Sequence, residues 1–344
     1  MKLAVTHVDL PNESKGGVAH QVHYMANALV QRGHDVTVFT FSPAYAECLY
    51  KVRTLHRPRS PRWCTSVLFG VRLARTDFSE FDVLHTNGDN FLVGRRVPQV
   101  RTFYGSAADE AKSAVNWKRR LYQKFSVFLE VLGARRADIN VGISEATRRR
   151  MTSITRVIPC GVDVTRFRPG LKEAIPAVLF VGTIGGRKRG GLLAEAFERQ
   201  IRPKFPDAQL SMVADRALPG AGIVNHGYVS LERLTELYQR AWVFCLPSTY
   251  EGFGVPYIEA MASGTAIVAS PNPGACELLS NGQYGVLAAD SEIGDKINQL
   301  LGNSCERAEH EKLGLLRSRE YSWDRVSEQY ESVYSELAPR NSAR

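Results

Sequence analysis

The chain has 344 residues, 44% hydrophobic and 23% charged, with a net charge of +9. These proportions exclude a disordered chain, a collagen-like repeat and a small disulfide scaffold, and the length fits about two domains at roughly 100–200 residues each. The charge is uneven: residues 1–170 hold 26 Lys and Arg against 14 Asp and Glu, a net +12, whereas 171–344 hold 18 against 21, so anionic partners (phosphates, an anionic membrane surface or nucleic acid) are expected at the first half.

Strand and helix patterns alternate along the chain. Lys2–Val8 is an apolar, β-branched run, followed by a polar loop and then a helical spacing of Val18, Val22, Met25, Ala26 and Leu29 that Gly33 stops. Asp35–Phe41, Phe81–His85, Gln99–Phe103 and Ile139–Gly142 read as strands, and Ala111–Arg136 as a long helix with Leu121, Phe125, Phe128, Leu129 and Leu132 on its apolar face. The pattern restarts at Ala177–Val181, continues through strands Gln209–Ala214, Trp242–Leu246 and Thr265–Ala269, and places helices at Gly191–Arg202, Leu231–Arg240 and Val255–Ser263. Such alternation predicts an α/β protein with two parallel-sheet, Rossmann-like domains, ligands binding at the C-terminal strand edges. The proline and glycine at Phe167–Gly170 place the division there: 1–169, 170–321, and a last helix within 322–344.

No apolar run reaches the roughly 18–20 residues of a membrane-spanning helix, and the first residues do not resemble a secretory signal. The six cysteines are scattered without a Cys-x-x-Cys pair; free, mostly buried thiols in a reducing, cytoplasmic compartment are expected. The sequon Asn12-Glu13-Ser14 is discounted for want of a secretion signal.

Three segments carry chemistry. In Pro247–Gly264 a buried strand runs into a glycine loop and then a helix with Pro256 near its start; Gly252 and Gly254 admit close backbone approach, and the helix N-terminus suits a phosphate. Glu251 and Glu259 lie eight positions apart, placed to contact different parts of one extended ligand; on spacing alone a plain strand–loop–helix with solvated glutamates fits equally. Val181–Gly190 joins three glycines after the strand to Arg187-Lys188-Arg189, which suits a pyrophosphate, though a basic surface turn has the same pattern. Ser14-Lys15-Gly16-Gly17 is a weaker third loop, neither a dinucleotide fingerprint nor a P-loop.

These residues together resemble glycosyltransferase family 4, of the GT-B fold. The similarity rests on Tyr250-Glu251-Gly252-Phe253-Gly254-Val255-Pro256 with Glu259-Ala260-Met261-Ala262-Ser263-Gly264, and is supported in order by Gly16-Gly17, Arg32–Val38, Phe81–His85, Ile158–Asp163, Phe167-Arg168-Pro169, the Gly182–Lys188 loop, and Glu277 with Gly282 and Gly285. It implies two Rossmann-like domains facing a cleft, and retaining transfer of a hexose-type sugar from a nucleotide-diphosphate donor, UDP before GDP, to a glycan or lipid-linked acceptor of cell-surface polysaccharide or glycolipid synthesis, with no metal or other cofactor. It further implies that Glu259 binds the donor ribose and Glu251 the donor sugar. Backbone N–H groups of Gly252, Phe253, Gly254 and Val255 and of Gly16 and Gly17, beside Gly182 and with Lys188, would hold the diphosphate. The last helix would cross back to the first domain.

Two positions depart from the pattern. Tyr104 stands where the family has histidine near the donor sugar, and Thr183 where it has arginine, which leaves Arg187 to reach the phosphate. A sugar-nucleotide epimerase, a phosphorylase or an inactive nucleotide-sugar-binding protein are the alternatives. Nucleic acid is not expected, since the basic half carries no recognised nucleic-acid motif. His85 reads as a hydrogen-bonded structural histidine, while His20 and His23 face either an acceptor or the surface. Lys118-Arg119-Arg120, Lys124, Arg135-Arg136 and Arg148-Arg149-Arg150, interleaved with Trp117, Leu121, Tyr122 and Phe125, suit peripheral contact with the anionic inner face of a membrane as well as they suit a solvated basic face.

Overall fold

The computed structural model describes residues 1–11, 17–45, 47–58, 64–105 and 117–337, over 117–124 the backbone only. The chain forms two units, Met1–Gly161 with the segment from Trp323 onward, and Val162–Ser322. The sequence-based break at Pro169-Gly170 thus falls inside the second unit, where Phe167 packs edge-on against Tyr238.

The first unit runs β1 (Lys2–Thr6), α1 (Val18–Gln31), β2 (Asp35–Thr40), β3 (Lys51–Thr54), α2 (Thr65–Ala74), β4 (Val83–Thr86), β5 (Gln99–Phe103), α3 (Trp117–Ala134), β6 (Ile139–Gly142), α4 (Glu145–Arg150) and β7 (Arg156–Val157). Its sheet has the order β3-β2-β1-β4-β5-β6-β7, parallel throughout. This is the doubly wound order, in which chain direction across the sheet reverses beside β1. Alternate side chains of β1 feed opposite faces: Leu3 and Val5 pack with Val22, Met25 and Leu29 of α1, and Ala4 with Phe39, Phe69 and Phe81.

The last helix, α11 (Trp323–Leu337), belongs to this unit. Its buried Val326, Tyr330, Val333, Tyr334 and Leu337 recur at helical spacing and join the α1 face of the core. A polar chain runs through that contact. His85 bonds the Tyr334 hydroxyl at 2.6 Å and Thr102 Oγ1 at 2.8 Å, and Thr102 meets the Tyr330 hydroxyl at 3.1 Å. Burial drives the His85 pKa down to about 3, so the ring is neutral and structural. Tyr334→Phe should leave one His85 nitrogen buried without a partner and cost about 1–3 kcal/mol, read as a lower urea midpoint for the first unit.

The second unit runs β8 (Ala177–Gly182), α5 (Gly190–Ala196), β9 (Gln209–Ala214), β10 (Ile223–Asn225), α6 (Leu231–Arg240), β11 (Val243–Leu246), α7 (Val255–Ala262), β12 (Ala266–Ala269), α8 (Pro273–Leu278), β13 (Val286–Leu287), α9 (Ile293–Gly302) and α10 (Ser304–Ser318). Its parallel sheet repeats the same winding, β10-β9-β8-β11-β12-β13. The helix expected over Gly191–Arg202 is α only to Ala196 and then widens into a π turn, Phe197–Ile201, whose Phe197 and Ile201 are buried. Two of the six free cysteines, Cys160 and Cys245, are buried and Cys305 is exposed, fewer buried than expected. Among the described residues no helix is long and apolar enough to cross a membrane.

Helix α3 leaves part of its apolar face open. Phe125 and Phe128, which periodicity puts on one apolar face, are 49% and 62% exposed, with Val131 44% exposed. Close contact comes at its end, where the absent Cβ of Gly133 leaves room for Arg101 and Asn90. Residues 106–116, with the expected helix start at Ala111, and the sequon at Asn12 lie outside the described residues.

Candidate active site

In the second sheet the winding reverses between β8 and β11, and the loops that follow these two strands meet at its C-terminal edge. After β8 the chain turns through Gly182–Gly185 into one 3₁₀ turn, Gly186–Lys188. A Cβ at Gly182 would come within 3.2 Å of both the Phe180 ring and the Lys188 stem, so glycine there lets Lys188 lie back over the strand end. After β11 the chain passes through 247–254 and enters α7 from Gly254, whose φ of 103° and close approach to the Tyr257 ring both demand glycine. The two loops are joined by main chain: Thr249 N–H donates to Arg187 O at 2.8 Å, and Arg187 Nη1 donates to Tyr250 O at 2.6 Å.

At this junction Glu251 is 5% exposed, and its Oε1 lies 2.8 Å from Arg187 Nη1 and 2.8 Å from Lys188 Nζ. Burial raises the Glu251 pKa, but the two cations outweigh it and hold the carboxyl below the ordinary range. Burial lowers the Lys188 pKa, and Glu251 opposes that shift. A buried pair of this kind needs fixed geometry, and the backbone supplies it: Glu251 O accepts from Gly274 N–H at 3.1 Å. Behind it Asn272 caps α8 through Ala275 N–H and donates to Ser248 O at 3.1 Å and Ser270 O at 3.0 Å.

Gly274 is the tight point of this support. A Cβ there would stand 2.6 Å from Phe253 O and 2.7 Å from Glu251 O, both backbone atoms. Gly274→Ala should push the Glu251 loop outward and cost about 1–3 kcal/mol, visible as a lower unfolding temperature.

Glu259, one turn into α7, is half-buried and accepts a 3.0 Å hydrogen bond on Oε2 from the Tyr238 hydroxyl. Burial pushes its carboxyl up to about 7, against the opposing influence of Tyr238 and Lys188. Phe253 is buried, its ring edge-on to Tyr321 at 5.5 Å, while Gly252 and Val255 remain partly accessible. The structure therefore gathers Gly182, Arg187, Lys188, Glu251, Gly252, Phe253, Gly254, Val255 and Glu259 around one sheet edge of the second unit.

Arg189 is not part of the cation set that the sequence suggested. Its backbone is left-handed, φ 55°, and its guanidinium is spent on Asp290 at 2.5 and 2.8 Å, Pro247 O at 2.6 Å and Ser270 Oγ at 3.0 Å. Thr183 turns its hydroxyl to Gly185 O at 2.9 Å. Sequence reading also missed Tyr238, Asn272 and Gly274, which lie apart from the glycine loops in the chain and join them only through the fold.

The remaining candidates belong to the first unit. Gly17 precedes α1 with φ 66° and no side-chain cap, and Gly16 lies outside the described residues. Tyr104 follows β5, half-buried against the core, its hydroxyl donating to Asn87 Oδ1 at 3.0 Å. His23 is neither at the surface nor open to a ligand: it is fully buried, with Nδ1 2.9 Å from the Tyr50 hydroxyl, because α1 turns it into the core beside Tyr24 and Tyr45.

Residues 175–303 match the family model described as glycosyl transferases group 1. The phosphatidyl-myo-inositol mannosyltransferase of Mycobacterium tuberculosis is 28% identical, over 94% of each chain. Among solved structures, sucrose-phosphate synthase from Thermosynechococcus elongatus superposes with a TM-score of 0.80 at 23% identity over 98% of each chain. Anabaena HepE in complex with UDP-glucose superposes with a TM-score of 0.76 at 18% identity, over 98% of this chain and all of that one. The protein is a glycosyltransferase with the two parallel-sheet units of the GT-B architecture. Residues 15–166 match the model of Glycosyltransferase Family 4, and the chain belongs to that family.

Proposed function

We propose that the chain moves a hexose from a nucleoside-diphosphate donor, UDP in preference to GDP, to a hydroxyl of a glycan or lipid-linked acceptor, with retention of anomeric configuration and without a metal cofactor. The observation that carries this reading is the buried Glu251 held by Arg187 and Lys188 at the point where the second sheet reverses its winding. The N-terminus of α7 and the backbone N–H groups of Gly252–Val255 supply donors for a diphosphate, and Lys188 and Arg187 supply charge.

As the sugar–phosphate bond lengthens, negative charge grows on the leaving diphosphate, and cations and N–H groups fixed beforehand favour that state over the bound donor. The leaving phosphate takes the acceptor's proton, so no histidine base is required. In this reading Glu251, tied to both cations, contacts the sugar and Glu259 accepts the ribose hydroxyls. The UDP-glucose bound to Anabaena HepE and the phosphatidylinositol acceptor in the name of the mycobacterial relative favour this donor and a lipid-borne acceptor.

The exposed Phe125, Phe128 and Val131 on α3, in a helix whose first half carries Lys118, Arg119, Arg120 and Lys124, suit attachment to an anionic bilayer at about 1 kcal/mol per cation. Co-flotation with anionic vesicles at low salt, lost at high salt, is the expected result. A thermal-shift panel of UDP-, GDP- and ADP-sugars tests the donor site, because a ligand of the native state raises its stability. NMR of the product anomer tests retention. A panel in which no nucleotide sugar shifts the melt would overturn the proposal.

A further inference from the structure

We propose that Tyr238 is a positioning residue for Glu259: its phenol O–H fixes one carboxylate oxygen and leaves the other to accept the vicinal diol of a nucleotide ribose. This rests on the donor-site reading of Glu259 given above. Tyr238 comes from α6, not from either glycine loop, and its side chain is fully buried. The ring stands edge-on to Phe167 at 5.8 Å and tilted against Phe244 at 5.4 Å, and its own carbonyl accepts from Thr265 Oγ1 at 2.7 Å. The buried ring is thus flanked by Phe167 and Phe244, with its hydroxyl 3.0 Å from Glu259 Oε2. Burial raises the phenol's pKa far enough that it remains a donor at every working pH.

The groups acting on Glu259 are few. Tyr238 from α6 and Lys188 from the loop after β8 both favour the carboxylate. The other charges of α6 are engaged elsewhere, Arg233 and Arg240 with Glu236 and Glu173, and Glu232 with Arg166. On α10, which packs along α7, Glu311 and Arg307 act on Lys172. Burial pushes Glu259 up to about 7, and the Tyr238 hydrogen bond opposes that shift together with Lys188, so loss of the bond lowers the share of carboxylate near neutrality. An ionised carboxylate accepts two hydroxyls, whereas a protonated one surrenders part of that capacity.

Calorimetry on the full chain, with UDP, GDP and their 2′,3′-dideoxy counterparts, tests the role without any knowledge of the sugar or acceptor. The wild type should prefer the ribonucleotide by about tenfold or more, the size of a hydrogen bond to a charged group, and its affinity should rise with pH through about 7. Tyr238→Phe keeps the ring packing, should shrink the ribose preference toward unity, and should move the pH midpoint upward. Fluorotyrosine at 238, a stronger donor of the same shape, should move that midpoint down and keeps the test open if the Phe variant folds poorly. Unchanged preference and midpoint in both variants would mean that Tyr238 merely packs, and the inference fails. If Glu259→Gln also keeps the full ribose preference, or if the wild type shows none, the donor-site reading of Glu259 fails with it.

Discussion

Replacing Glu251 with glutamine is expected to reduce turnover by about 10²–10³-fold, the range for losing one pre-aimed electrostatic group, while UDP binding is retained or tightened. The two effects diverge because Glu251 acts on both sides of the reaction. In the protein without donor its Oε1 is the shared counter-charge of Arg187 and Lys188 and offsets one of their two charges. An amide of the same shape leaves two cations at a sheet edge without a counter-charge, and an incoming diphosphate then meets less competition. Binding therefore does not suffer, yet the carboxylate proposed to meet the sugar is gone. Parallel measurement of UDP affinity by calorimetry and of kcat with the preferred donor separates these terms. A variant that lost affinity but kept kcat would show that Glu251 only builds the binding site.

Lys188→Met should have the largest effect on stability. The Lys188 side chain is 15% exposed and that of Glu251 6%, so removing the cation leaves a buried carboxylate with only the more exposed Arg187, a change worth about 3–5 kcal/mol. The pH dependence gives the sign. In the wild type the folded pKa of Glu251 lies below its ordinary value, so its contribution is present above the unfolded pKa and is lost as pH falls through the folded one. In Lys188→Met burial dominates, the folded pKa moves above the unfolded value, and the variant loses stability as pH rises instead. The gap between the two proteins should be widest at neutral pH and close in acid. Adding Glu251→Gln should restore much of the stability and none of the turnover, whereas donor KM should already rise at least tenfold in the single variant, about the worth of one charge-assisted hydrogen bond. Denaturant melts between pH 4 and 8 check the first statement and donor titration the second.

The two sheets were legible because their central strands are short apolar or β-branched runs, continuous in Ala177–Val181 and broken only by Asp35 and two buried threonines in Asp35–Phe41, which suit a parallel sheet covered on both faces. What escaped was the rim. Lys51–Thr54 and Ile223–Asn225 are edge strands with mostly exposed side chains, so they carry no hydrophobic signature. Helix α10 buries small residues, Gly314 and Ser318, instead of a stripe of large ones, and its charge-rich sequence shows no apolar period. The site was legible in part for a different reason. Glu251, Glu259 and the glycines form a compact local pattern, but the bond from Tyr238 spans 21 positions, and only the sheet order brings it in. Arg187, Lys188 and Arg189 look alike in sequence, and a left-handed backbone at Arg189 sends the third to Asp290 instead of Glu251.

The placement of α11 has a consequence for synthesis on the ribosome. The second unit is contiguous, from Val162 to Ser322, and its two ends meet in the Val162–Ser322 bridge, so it needs no residue of α11 to complete its fold. The first-translated sheet waits longer, with the surface that Tyr330, Val333 and Tyr334 later cover left bare. The half of the enzyme made first is thus the half finished last, and its nascent form is the one that a chaperone holding apolar surface would meet.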